Sequence, residues 1–579
     1  MSAHPAARTP AGTAVGTGEA DLWCTYAAIR TAAWLDRTGE LPGRGATIGY
    51  LGSRRNTDGG YAWSKGMASD AWATFYCTQA MTELGAEVPR PGPTREWLRR
   101  TWSGDAYAML PGQTPDVWAT HFSVRTVAAL YREAPPDRDR LVDWLRALQA
   151  PDGGLGWSPD HAGACADSDV RACFYGVMAW RALRTVAPDS PFPWDGPALT
   201  RWLREQQHAE GGFRFGPSAS TPCMWATYRA TATLHELDAA PDDRQRCLDW
   251  ILARRNSDGS FVRWSGYEVA DVWASFCAVG SLRALGADTG PHAGPVLRRL
   301  RALSCPDGGF TYREPDRAGD ALSTAATALM SAADDPRQKR WRTWLAGCRL
   351  PNEGGVMYMP ARGSEVRCTL WAIAAGAGTV DPAAPLEVAD WLADLQNPDG
   401  GFGYWEGRGS DLVSTAAAVE TLRLLGIAAH EVLDTARLAG FVQGCRADHG
   451  YRHVPGAPPT LRAGLQALRI LDRLDRGTPG ELAGLLEHHR VPGGGFANEG
   501  SRMPDLLSTY EAVVTADRQR IPVDSARLTV FLDRLARPTG TGWSPLAPGG
   551  GGVLADCLGT LLRERCAGDR TDLPALTLS

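Results

Sequence analysis

The chain has 579 residues, 44% of them hydrophobic, and a formal net charge of −5 from 60 basic and 65 acidic side chains. That length exceeds one ordinary core and implies two domains or a large closed toroid. Basic residues are spread along the sequence, which leaves no electrostatic footprint for nucleic acid, and no window offers the roughly 18 consecutive apolar residues of a spanning helix.

Residues 1–20 are rich in Ala, Gly, Thr and Pro, lack an apolar core, and read as a disordered N-terminus rather than a signal peptide. Thirteen cysteines, an odd number with no C-x-x-C pair, fit reduced thiols and a cytoplasmic location. Peripheral contact with a membrane stays open.

From Asp21 onward the sequence is a repeat. One phrase returns as Asp58-Gly59-Gly60-Tyr61, Asp152-Gly153-Gly154-Leu155, Glu210-Gly211-Gly212-Phe213, Asp258-Gly259-Ser260-Phe261, Asp307-Gly308-Gly309-Phe310, Glu353-Gly354-Gly355-Val356, Asp399-Gly400-Gly401-Phe402 and Gly493-Gly494-Gly495-Phe496. Degenerate copies sit at Gly104-Asp105-Ala106-Tyr107, His449-Gly450-Tyr451 and Thr541-Gly542-Trp543. About a dozen residues later comes a second phrase, Asp-x-Trp-x-Thr or Asp-x-x-x-Thr. Its acidic position falls at Asp21, Asp70, Asp116, Asp169, Cys223, Asp271, Asp320, Glu365, Asp411, Ala457, Asp505 and Gly550, so twelve units follow one another at 45 to 54 residues.

Within a unit, the segment after the acidic position is apolar on nearly every side and Ala-rich, as in Asp411-Leu-Val-Ser-Thr-Ala-Ala-Ala-Val-Glu-Thr-Leu-Arg-Leu-Leu. Such a helix is a buried one. The next segment, for example Arg138 to Gln149, alternates charge with apolar residues at three-and-four spacing and covers the outside. The glycines turn the chain just past a helix C-terminus. For each acidic position the first expectation is an N-cap on the inner helix. The fold expected is all-α, two α/α barrels of about twelve helical-hairpin repeats.

The phrases Leu148-Gln149-Ala-Pro-Asp-Gly-Gly-Leu-Gly-Trp157 and Leu395-Gln396-Asn-Pro-Asp-Gly-Gly-Phe-Gly-Tyr404 resemble the Gln-Trp repeats of squalene hopene cyclases and class II diterpene cyclases. The run Asp167-Ser-Asp-Val-Arg-Ala-Cys-Phe-Tyr175 resembles an inner helix of protein prenyltransferase β subunits, and Asp21-Leu-Trp-Cys-Thr-Tyr is similar to the opening of bacterial class II diterpene cyclases. The resemblance covers residues 20 to 565. It implies one barrel inserted in the other, with 21–40 as a first inner helix belonging to the C-terminal barrel, 41–304 as the first barrel and 305–579 as the second.

Class II cyclases protonate an alkene with the middle carboxyl of an Asp-x-Asp-Asp motif. The helix in the corresponding place reads Asp320-Ala321-Leu322-Ser323-Thr324, so Leu322 stands where the resemblance puts the proton donor. Asp320, with Asp316 one turn earlier, is the candidate acid, because neighbouring carboxylates raise one another's pKa; a helix cap or a solvated pair is the alternative. The resemblance to protein prenyltransferases implies zinc on an Asp-x-Cys, yet here the helix reads Asp271-Val272-Trp273. No three or four zinc ligands can be assembled.

At the inward position two residues before Thr, the units carry Trp23, Trp72, Trp118, Arg171, Trp225 and Trp273, then Leu322, Arg367, Val413, Pro459, Leu507 and Gly552. Two readings stand. The indoles line a cavity that holds a prenyl chain and stabilises a carbocation, or they fill the barrel as buried Trp usually does. His121 adds an acid or base to the same wall, and Arg171 or Arg367 would bind a diphosphate by a planar fork, with which a divalent metal such as Mg²⁺ would travel. The expected function is a class II-like terpenoid cyclase or isomerase acting on a linear polyprenyl substrate, a diphosphate. The alternatives are a prenyltransferase-like enzyme and a non-catalytic isoprenoid-binding or scaffold protein.

Overall fold

The computed structural model describes residues 13–14, 20–63, 68–163, 168–264, 270–311, 319–349, 354–358, 364–406, 408–477, 480–500, 503–547 and 549–578. The expected disordered N-terminus lies outside the described residues apart from 13–14 and 20. Regular structure is helical throughout, with three two-residue antiparallel β pairs among the described residues. The chain divides into two units, residues 18–315 with 407–409, and residues 1–17 with 316–406 and 410–579.

Each unit is a ring of six inner helices. In the first barrel these are α1 (Leu22–Trp34), α2 (Ala71–Glu83), α3 (Val117–Tyr131), α4 (Val170–Val186), α5 (Met224–Glu236) and α6 (Val272–Ala284). Each packs on the next, and α6 packs back on α1. The second barrel repeats this with α7 (Ala321–Met330), α8 (Val366–Ala374), α9 (Leu412–Leu425), α10 (Leu461–Arg473), α11 (Leu506–Arg518) and α12 (Gly552–Ala567), closed by α12 on α7. Amphipathic helices such as Arg138–Arg146 and Arg244–Leu252 turn only some of their residues, Leu141, Val142, Trp144 and Leu145 in the first case, to the interior.

The acidic positions are N-caps. Asp70 accepts from the Ala73 amide (2.7 Å), Asp116 from Ala119 (2.7 Å) and Asp320 from Ser323 (2.8 Å), each satisfying an amide that the helix start leaves open. In one unit the cap is Thr460 and not the expected Ala457, because its Oγ1 accepts from the Ala463 amide (3.2 Å) where an alanine has nothing to offer. The last cap is Gly551, one residue past the expected Gly550. Moving the cap to Thr460 puts Arg462, not Pro459, two residues into α10.

The regular interval between the two phrases also has a cause. The amide after the glycines donates to the hydroxyl of the inner-helix Thr: Tyr61 to Thr74 (3.0 Å), Phe213 to Thr227 (3.0 Å) and Phe402 to Thr415 (3.0 Å). The glycines are required by space. At Gly59 the backbone takes φ +97°, and a Cβ on Gly60 would come within 2.8 Å of the Trp97 ring. The turn at 307–310 makes the same bond to the first helix of the chain, Phe310 amide to Thr25 Oγ1 (2.9 Å). That bond closes the first ring, so α1 and the 307–310 turn both lie in the unit of residues 18–315, where the resemblance had assigned them to the other barrel.

Candidate functional site

Down the axis of the first barrel the five indoles meet one another. Trp23 lies with ring centroids 4.9 Å from Trp72, 4.6 Å from Trp273 and 5.8 Å from Trp225, and Trp72 lies 4.8 Å from Trp118. Trp63, which lies outside the inner-helix repeat positions, stands edge-on to Trp72 at 4.7 Å. Rings this close are in direct contact, so a linear chain enters here only if rings turn aside. Below them Tyr26 stacks on Tyr76 at 3.9 Å. His121 is buried, meets Arg125 through Nε2 (3.2 Å), and is held well below the ordinary imidazole pKa by burial and then by that guanidinium. It is therefore neutral.

At the N-terminal ends of the same helices two carboxyls are buried beside the indoles. Burial pushes both Asp70 and Asp116 up to about 6, against the pull of the Arg408 guanidinium and of backbone amides at their own helix starts. Arg408 belongs to this unit through residues 407–409, is 2% exposed, and lies 5.9 Å from the Trp118 ring. Arg263 sits 4.1 Å over the face of Trp225. Arg171 gives both arms of its fork to its own cap, Nε to Asp169 Oδ1 (2.9 Å) and Nη2 to Asp169 Oδ2 (2.6 Å), and lies over Phe215 at 4.3 Å. A diphosphate at Arg171 would have to compete with Asp169.

In the second barrel Asp320 is fully buried as the cap of α7, and Asp316 lies outside the described residues. Arg367 is ion-paired with its own cap, Glu365, and lies 5.1 Å from the Tyr404 ring. The bore of this barrel holds the chain's own C-terminal tail. Leu573, Ala575, Leu576 and Thr577 are buried, and their backbone is bound by side chains of the inner helices. Glu420 of α9 anchors it, accepting from Arg518 (2.6 and 2.8 Å), from Arg423 (2.8 and 3.0 Å) and from the Ala575 amide (3.1 Å). Burial would raise the Glu420 pKa, but the two guanidiniums overcome it and hold the carboxyl at about 2.

Elsewhere, an open groove of about 1040 Å³ runs past Trp180, Phe192, Arg201 and Leu237, and it contains none of the residues singled out from the sequence. Among the described residues no three His, Cys, Asp or Glu side chains converge as metal ligands, so the described residues do not fit a zinc or Mg²⁺ site and no step below passes through a metal. No described helix is long and apolar enough to cross a membrane.

The model of the prenyltransferase alpha-alpha toroid domain matches residues 6–102, 66–192, 193–358, 358–457 and 461–549, which is nearly the whole of both rings. The chain belongs to this family. It is similar to the drimenyl diphosphate synthase of Streptantibioticus cattleyicolor, 31% identical over 36% of this chain and 41% of that one. It is also similar to the drimenyl diphosphate synthase of Streptomyces showdoensis, 28% identical over 57% of this chain and 60% of that one. The aligned regions thus span 41% and 60% of these two relatives. Among solved structures, ent-copalyl diphosphate synthase from Streptomyces platensis aligns over 96% of each chain at 16% identity with a TM-score of 0.38.

Sequence reasoning missed Arg408, the raised carboxyls of Asp70 and Asp116, and the tail. The two aspartates were expected only as caps, and no local signal separates them from Asp21 and Asp271, which also carry a Trp two residues later. Arg408 stands in the irregular Gly407-Arg408-Gly409 stretch, outside any repeat position.

Proposed function

We infer that this toroid protein takes a linear polyprenyl substrate, a diphosphate, and isomerises or cyclises it by acid chemistry of the class II terpenoid cyclase kind. The observation that carries the reading is the pair of buried carboxyls at the indole wall of the first barrel, Asp70 and Asp116, both pushed up to about 6. A carboxyl whose pKa burial raises to about 6 keeps a protonated fraction near neutral pH that can give its proton to an alkene carbon. The resulting cation would then face the indoles of Trp72 and Trp118, at about 0.5–2 kcal/mol per contact. The carboxylate left behind takes a proton back when the cation is quenched, so the acid is regenerated. At pH 7 roughly a tenth of such a group is protonated, and activity rises as the pH falls toward 6. The similarity to drimenyl diphosphate synthases supports the substrate class.

The resemblance noted in the sequence points instead to Asp320, so the experiment carries both. Purified protein is incubated with farnesyl diphosphate, geranylgeranyl diphosphate and squalene, and products are read by mass spectrometry. Asp116→Asn keeps a good helix cap and removes the acid, and turnover is expected to fall at least a hundredfold. Full turnover in that variant together with loss in Asp320→Asn would move the acid to the second barrel. The second reading, an isoprenoid-binding protein without turnover, is favoured by the close ring contacts in the first bore and the tail in the second; binding without product supports it.

A further inference from the structure

The open groove of about 1040 Å³ plays no part in the chemistry above and follows the outer helix Gly196–Glu205. Pro197, Arg201 and Glu205 of that helix line it at four-residue steps, on one face. Pro197 to Glu205 is a rise of roughly 12 Å. One flank of the groove is the chain around residues 188–192. Trp180 of α4 is fixed there by its Nε1 bond to the Pro191 carbonyl (3.0 Å), and the Phe192 ring stands edge-on to it at 4.9 Å. Arg184, one turn after Trp180, is tied to the same stretch through Nε and the Pro188 carbonyl (3.3 Å). A Cβ on Gly196 would touch Phe192 at 3.3 Å, so this flank lies beside the start of the outer helix. The other flank is the turn after α5. Arg204 Nε donates to the Ala240 carbonyl (2.9 Å), which places that turn beside the last turn of the outer helix.

These contacts sort the charges by position. Arg184 stands at the end where the outer helix begins, Glu205 and Asp238 at the end where it finishes, and Arg201 between them. Among the described residues none of these four takes part in an ion pair, whereas the neighbouring Glu236 and Arg204 are engaged by Arg181 (2.6 Å) and Asp242 (3.5 Å). Arg201 and Glu205 are one turn apart in the order that pairs less well on a helix. Phe192 and Leu237 supply apolar lining. Ser190, 4% exposed, also lines the groove, and its Oγ has no hydrogen-bond partner among the described residues. A buried hydroxyl left unpaired costs free energy, and a carbonyl or carboxylate oxygen arriving near Arg184 can pair it.

A preformed cleft with aromatic lining, a few placed polar groups and opposite charges at its two ends suits a dipolar ligand. In an extended peptide the side chains at i, i+2 and i+4 share one face, and the outer two are about 13 Å apart, which matches the groove. A single amino acid holds its two charges too close together to reach both ends. We propose that the groove is a docking site for an extended peptide segment of a partner protein. An acidic side chain sits over Arg184 and Arg201, an apolar one against Phe192 and Leu237, and a basic one, four residues from the acidic one, at Glu205 and Asp238. Docking here is independent of the acid chemistry at Asp70 and Asp116.

The test uses the full chain and fluorescently labelled pentapeptides with blocked ends, read by polarisation. The probe is Glu-Ser-Leu-Ser-Arg, and the controls are Glu-Ser-Leu-Ser-Glu, Arg-Ser-Leu-Ser-Arg and Glu-Ser-Ser-Ser-Arg. The probe is expected to bind about tenfold tighter than either single-sign peptide, which brings like charges together at one end, and tighter than the peptide without Leu. Its affinity falls about two- to fivefold in Arg184→Ala and in Asp238→Asn, the range of an exposed ion pair, further in the double variant Arg184→Ala with Arg201→Ala, and with added salt. Equal affinity for all four peptides, or affinity unchanged in these variants, overturns the docking site. So does absence of binding at up to about 1 mM probe. Tighter binding of Glu-Ser-Leu-Ser-Glu than of the probe would make Arg184 and Arg201 a simple anion site and overturns the peptide reading as well.

Discussion

The two barrels share a ring of six capped helices and differ in what fills the ring. The first is filled by indoles fixed to separate inner helices, with two carboxyls at their edge whose proton affinity burial raises. The second is filled by a stretch of backbone, with the Glu420 carboxylate beside it held low by two guanidiniums. Burial does not account for the contrast, since Asp116 and Glu420 are 4% and 5% exposed. Guanidiniums do: Glu420 is hydrogen-bonded by two of them and held at about 2, while Arg408 acts on Asp116 only through space and leaves it at about 6.

The largest expected effect tests the first plug. Trp23→Ala removes the ring that touches Trp63, Trp72, Trp225 and Trp273, and loss of a large buried aromatic costs about 3–5 kcal/mol. Denaturant unfolding measures it; a cost below about 1 kcal/mol would mean that the rings border a space and support nothing. Next is Glu420→Gln, which leaves two half-buried guanidiniums facing an amide, at about 3 kcal/mol. The same change weakens the acceptor of the Ala575 amide from a carboxylate to a neutral carbonyl oxygen, so carboxypeptidase should trim the variant from its C-terminus faster than the parent. Unchanged protection of the tail would break the link between that carboxylate and the plug.

Much of this architecture was legible because its determinants are local. An Asp followed by an Ala-rich run is a cap and a buried helix wherever it occurs, and Asp70, Asp116 and Asp320 are caps as expected. The indole positions were also legible, since Trp23, Trp72 and Trp118 share one offset from their caps. What escaped depends on distant partners. Ring closure through Phe310 and Thr25 joins residues 285 apart. The proton affinity of Asp116 depends on Arg408, far along the chain. The stretch Leu573 to Leu578 has neither helical nor strand periodicity, so nothing in it announces that a ring of helices will close around it.

Asp116→Asn sharpens the electrostatic side of the comparison. The carboxyl rises from an ordinary 3.8 to about 6 in the fold, so between those values the folded chain holds a proton that the unfolded chain has lost. Stability from this group is therefore full below about pH 4 and falls as the pH rises through about 6. The amide has no such loss and still caps α3. Relative to the parent, Asp116→Asn should gain about 2 kcal/mol on going from pH 4.5 to pH 8. A difference that does not change with pH would mean that Asp116 is ionised throughout and cannot be the acid.

Tyr510→Phe should have the smallest effect and isolates the tail from the ring. It removes one hydroxyl, whose bond to the Pro574 carbonyl (2.8 Å) is worth about 1 kcal/mol. The ring's own packing is left intact. If the tail opens as a unit, its free energy of opening drops by that amount while the global free energy hardly changes. Exchange of the Ala575 amide should then speed up about fivefold, with the amides of α9 and α11 unaffected. Tail and helices accelerating together would show that the tail and the ring form one cooperative core.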